Sequence, residues 1–324
     1  MPPFFLPDWA IIQRMSAVAA PRLPAAALVV ACVLLASCAR TPPPAPGGER
    51  PTQAVQQLVE RLRDDDAAGF ATVAVPPALH DRLETGWRTG RTRWPLDELP
   101  LDDRLAPMLA ALAAPDARTG LQRDFERQFA NAGDELRSAA TSLGLFGVEY
   151  IRNEGDYSAA ERAHYTQAVD ALSHWAAQAP LSDRRRARGA IALLTTAAQR
   201  TGIASQDDLA ELGMSGSLAR LGPFLGAAKQ VFASYGLDLD ATFDDFDAQL
   251  VQQTGDTATV RVRYTLGGQP VDALLTVERV DGRWYLQDYL RNAEASLEGP
   301  DVHAPAVPAA RTGRLPAAGG ARSP

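Results

Sequence analysis

The 324-residue chain has two cysteines, Cys32 and Cys38, both near its N-terminus. The remaining sequence can therefore hold no disulfide and no thiolate metal site. Lysine is almost missing too: Lys229 stands alone among 32 basic residues. The net charge is -7, and the only charged residues up to Cys38 are Arg14, Arg22 and Asp8, a net +1, so the chain beyond Cys38 carries -8. That balance excludes an electrostatic footprint for nucleic acid. No phosphate-binding glycine loop or dinucleotide fingerprint occurs. The histidines, His80, His164, His174 and His303, lack the paired spacing of a zinc helix. His164 and His174 would diverge by about 80° on one helix. No cofactor and no metal is expected.

What is present begins with an uncharged apolar run over residues 24–37, preceded by Arg22. It is shorter than the roughly 20 residues of a membrane span and has the proportions of a signal-peptide core. Met15 is as good a start as Met1. The motif Leu35-Ala36-Ser37-Cys38 resembles the bacterial lipoprotein signal: aliphatic, small, small, cysteine. The resemblance implies removal of residues 1–37 and acylation of Cys38 with palmitate-type chains. Because Ala39 rather than aspartate comes next, it also implies a place at the outer membrane facing the periplasm. Two acyl chains suffice for stable attachment, where one is marginal. Residues 38–51 read as a Pro-rich spacer.

From Thr52 the period is helical: Val55, Leu58, Val59 and Leu62 share a face. Over 52–100 we expect this helix, then a connection broken by Pro76, Pro77, Gly86, Gly90 and Pro95, with a short helix at 79–87 packed down by Trp87 and Trp94. The region 101–236 is expected to be helical at 102–114, 119–144, 158–178, 182–200 and 217–235. Ser158 with Glu161 forms a capping box, Ser205 with Asp208 resembles one, and Pro223 should kink the last helix or mark its first turn.

At 237–297 the period falls to two. Val260, Val262, Tyr264 and Leu266 alternate with polar residues, and Gly267-Gly268 and Asp281-Gly282 supply hairpin turns. Strands are expected at 246–253, 259–266, 271–280 and 283–289. The fold class is α+β, a helix-rich body followed by a three- to four-stranded antiparallel meander. Residues 298–324, rich in Pro, Ala and Gly, read as a disordered tail. The motifs Val260-Arg261-Val262-Arg263-Tyr264 and Asp281-Gly282-Arg283-Trp284-Tyr285-Leu286 resemble the closing sheet of the nuclear transport factor two-like (cystatin-like) superfamily. That likeness implies a cone-like fold, with the extra helices as an insertion or a separate helical domain, and no particular function.

Candidate chemistry is sparse. Gly213-Met214-Ser215-Gly216-Ser217 misses the nucleophile-elbow pattern at its fifth position and reads as a helix cap. His80-Asp81 is either a dyad fragment or a helix start. The run Asp238, Asp240, Asp244, Asp245, Asp247 reads as a solvated charge run or a weak cation site. Asp64-Asp65-Asp66 reads as a helix terminus, and Arg184, Arg185, Arg186 and Arg188 as an exposed face or partner patch. Trp284 and Asp288, with Leu286, are placed on one strand face, where a carboxylate ending an apolar row is either functional or an exposed edge.

These readings favour a non-enzymatic envelope lipoprotein, membrane-bound through Cys38, that binds a protein or a small apolar ligand. The alternatives are a periplasmic hydrolase or isomerase and a structural accessory of an envelope complex.

Overall fold

A computed structural model describes residues 45–98, 104–154 and 157–298, all within one compact unit. The signal and lipidation motif at residues 1–38, His303 and most of the C-terminal tail lie outside the described residues. Ten helices come first: α1 (Pro51–Arg63), α2 (Ala67–Ala74), α3 (Pro77–Arg88), α4 (Leu105–Ala113), α5 (Ala117–Gln128), α6 (Gly133–Asn153), α7 (Ala159–Gln178), α8 (Arg184–Thr201), α9 (Gln206–Ser234) and α10 (Leu239–Asp244). The sheet comes next as β1 (Asp247–Thr254), β2 (Thr257–Leu266), β3 (Gln269–Val280) and β4 (Arg283–Leu286), closed by α11 (Gln287–Glu298). The fold is α+β, and the sheet is an antiparallel meander in the order β1-β2-β3-β4.

The hairpin turns take the conformations that their residues favour. Asp281 and Gly282 have φ of 50° and 81°, and Gly267 and Gly268 have 55° and 81°; two successive positive φ values make the turn that matches strand twist. Along β2 and β3 the residues Val260, Val262, Val271, Ala273 and Val277 are buried. On the opposite face Arg261 and Arg263 pair with Asp272. One face is apolar and covered, the other charged and wet.

Helix α1 lies against all four strands and buries Ala54, Val55 and Leu58. Its C-terminal end is held by Lys229, whose buried Nζ donates to the carbonyls of Leu62 (3.1 Å) and Arg63 (2.7 Å) and pairs with Asp65 and Asp240. Burial alone would push this ammonium down, but the two carboxylates more than offset it, and its pKa is raised. Helix α7 runs beside β3, and α6 pairs with α7. There Gly144 packs against Ser173: a β-carbon on Gly144 would lie 1.9 Å from the serine Oγ.

Five expectations need correction. The helix expected at 119–144 is two, because the chain turns through 129–132 and α6 begins at Gly133, against Ser182. The helix expected at 217–235 begins at Gln206, and its break falls at Gly213 (φ 71°, ψ 179°), with Pro223 inside a helical stretch. The last strand stops at Leu286, because β4 pairs with only Val277–Val280 of β3; the next residues form α11, which buries Leu290 and Ala293. The acidic run includes a helix, α10, instead of only leading a strand. The spacer is not free to its end: Gly48 exchanges two 2.8 Å backbone hydrogen bonds with Trp284, and Gly47 N–H donates to Val73 O at 3.1 Å.

Candidate functional site

Between the apolar face of the sheet and its covering helices lies a cavity of about 260 Å³. Val55, Leu58, Val59 and Leu62 of α1 form one wall, and Val262, Leu275 and Leu286 of the sheet form another. Phe70, Phe243, Phe246, Tyr165, Tyr264 and Tyr289 add aromatic surface. The polar groups come mostly from two helix starts. Helix α7 brings Glu161, His164 and Tyr165, which share a face at i, i+3, i+4, and α11 brings Asp288 and Tyr289.

Glu161 is fixed twice over. Its backbone N–H donates to Ser158 Oγ (3.2 Å), while its own Oε2 accepts from Ser158 N–H (2.8 Å), completing a capping box. The same Oε2 accepts from Arg291 at 2.6 Å, and Arg291 donates to Asp288 Oδ1 at 2.9 Å. Both acid side chains are deeply buried, 4 % and 7 % exposed. Arg291, one turn beyond Asp288, is 40 % exposed and does not line the cavity. Burial first, and the charge of Glu161 second, raise the Asp288 carboxyl above its ordinary value against the pull of Arg291.

Behind this pair sits Glu98, on the 3₁₀ turn Leu96–Glu98. Although the residue as a whole is exposed, its carboxyl end is enclosed by protein. It accepts from Trp94 Nε1 at 2.5 Å and from the Asn292 amide. Desolvation pushes it up to about 7, opposed by the Trp94 bond and reinforced by Asp97. Burial also raises Tyr165 and Tyr289, with the surrounding acids adding to both. On the sheet side His164 Nε2 lies 2.7 Å from the Tyr264 hydroxyl. Desolvation lowers the imidazole and pushes the phenol up to about 12. Carboxyls so placed can accept hydrogen bonds from a ligand or exchange a proton with it.

Of the two pocket candidates on one expected strand face, Asp288 lines the cavity and Trp284 does not. Trp284 is buried in the core beneath Arg279, which lies 5.6 Å from its ring centroid. Glu161, Tyr165, Tyr289 and Glu98 carry no sequence motif that marks a site. The stripe Glu161, His164, Tyr165, Ala168, Ala171 is nonetheless visible in the sequence, and it places those polar groups on the face that α7 turns toward the sheet.

Most residues of the remaining motifs have structural partners. Ser215 donates its N–H and hydroxyl to Glu84 (2.9 and 3.1 Å), capping the helix that restarts after Gly213. Asp238 caps α10, Asp240 holds Lys229, and Asp244 pairs with Arg63. Asp66 caps α2. Arg184 and Arg188 reach Glu126 of α5. His174 bonds Gln178 on its own helix, and the Nε2 of His80 is buried without a protein partner. Among the described residues no group of three or more His, Cys, Asp or Glu is placed to hold a metal, and no helix is long and apolar enough to cross a membrane. No protein-family description, curated protein or solved structure matches the chain.

Proposed function

We propose that this is a non-enzymatic, lipid-anchored envelope protein that binds a small, largely apolar molecule between its sheet and helices. The cavity carries the reading. A dry hollow of about 150 Å³ already accommodates benzene, and this one, at about 260 Å³, is apolar on most sides with polar groups gathered at two helix starts. Such a combination is the usual form of a small-molecule site. The anchor rests on Leu35-Ala36-Ser37-Cys38.

Calorimetric titration of the full chain in nanodiscs with cyclohexylmethanol tests the cavity. Saturable binding is expected, with loss in Val262→Trp, which fills the space. Absence of binding, or equal binding by the filled variant, overturns the reading. Acyl labelling of wild type against Cys38→Ala tests the anchor, and equal labelling of the two removes it.

A second reading, an acid–base enzyme, is favoured by one observation: a buried carboxyl with a raised pKa, Asp288, lines the cavity. Raised carboxyls are characteristic of general acids and bases. Turnover lost in Asp288→Asn with ligand binding retained would establish it.

A further inference from the structure

The geometry points to a ligand with an ammonium head: the cavity is built to take an apolar body ending in a protonated amine and to refuse an anionic head. This inference rests on the cavity being a ligand site.

Charge is the first argument. Among the described residues two acids, Glu161 and Asp288, line the cavity, and no lysine or arginine does. Their shared cation, Arg291, stands outside the lining. The two acids share a single guanidinium, and the second negative charge is offset only by the N-termini of α7 and α11 on which the acids sit, so the apolar space borders acceptors and no side-chain cation. An ammonium supplies the missing side-chain cation and offers N–H donors to carboxylate oxygens that are acceptors only. A carboxylate or phosphate would add a further negative charge.

The second argument is the aromatic lining. Phe70, Phe243, Phe246, Tyr165, Tyr264 and Tyr289 all border the same space. The faces of aromatic rings carry negative potential, and cages of such rings beside acids are how proteins recognise alkylammonium groups. One face of Phe243 is already taken by the Lys229 ammonium at 5.7 Å, and an ammonium gains from any ring face left toward the space, where an alcohol gains little and an anion is repelled.

The test uses three probes of matched shape, cyclohexylmethylamine, cyclohexylmethanol and cyclohexanecarboxylate, each titrated into the full chain at neutral pH. The amine is expected to bind about tenfold or more tighter than the alcohol, and the carboxylate weaker than either. Asp288→Asn should weaken the amine far more than the alcohol. The wild-type ranking decides the matter by itself should that variant fail to fold. Equal affinity for amine and alcohol, or preference for the carboxylate, overturns the ammonium inference and leaves the cavity reading standing. Failure of all three probes overturns both.

Discussion

The side-chain amide of Gln167 makes two hydrogen bonds to the backbone of Asp272: its Nε2 donates to the carbonyl at 2.9 Å, and its Oε1 accepts from the N–H at 3.0 Å. Strand β4 is too short to cover this part of β3, so a glutamine on α7 does what a neighbouring strand would do. An open strand edge invites pairing with other chains. The same contact fixes α7, which carries Glu161, His164 and Tyr165 into the cavity.

Gln167→Leu should therefore cost about 1–2 kcal/mol, two partly exposed hydrogen bonds at the usual net worth. Urea unfolding measures the cost, and light scattering should show increased self-association. Unchanged stability would mean that β3 does not depend on this clamp.

Glycine substitutions on two helices should have opposite signs. At Gly120 of α5 an added β-carbon meets nothing within 4 Å, so Gly120→Ala should stabilise by about 0.5–1 kcal/mol. At Gly144 the β-carbon would lie 2.3 Å from that of Ser173, and the α6–α7 pair must separate. Gly144→Ala should cost about 1–3 kcal/mol. Chemical denaturation of both variants checks the pair.

Glu98 makes stability depend on pH. Its carboxyl sits at about 7 in the folded chain against an ordinary 4.5. Between those values the folded state binds more protons than the unfolded one, so stability falls as pH rises through the window. His164, lowered by burial from 6.5, works in the opposite direction, its contribution being lost as pH falls. Glu98→Gln should remove its share of the decline between about pH 4.5 and 7, leaving the fall that the raised Asp288 contributes and the histidine's rise. Melting temperatures at pH 5 and 7.5 read this, and an unaltered profile would show that the Glu98 carboxyl is not enclosed in solution.

Lys229→Met keeps the stem of the side chain and deletes its head. Two carbonyls at the end of α1 and two carboxylates lose their partner. Because Asp65 and Asp240 are partly exposed and can rehydrate, the expected cost is about 2–3 kcal/mol, below that of a fully buried pair. Denaturant midpoints measure it.

Local chemistry made much of the fold legible. The Ser158–Glu161 cap, the Asp281-Gly282 turn and the alternation in β2 each arise from a few neighbouring residues. The strand expected through Tyr289 failed because alternation over Trp284, Leu286 and Asp288 continues past the point where β3 runs out of partners, and strand length is set by a distant segment. The site was legible only in fragments. Asp288 stood out as a carboxylate after apolar residues, but Glu161 was absorbed by its capping role, and only the folded chain shows both acids meeting one arginine 130 positions from the first of them. Glu98 gave no signal, because its environment is assembled from Trp94 and Asn292.

The solitary lysine has an experimental consequence. A protease that cuts only after lysine has one bond to attack in the whole polypeptide, and the side chain it must recognise is enclosed at the end of the helix that walls the cavity. The rate of that single scission measures how often α9 unwinds around Lys229 and lets go of the end of α1, and an occupant of the cavity that opposes this opening should slow it.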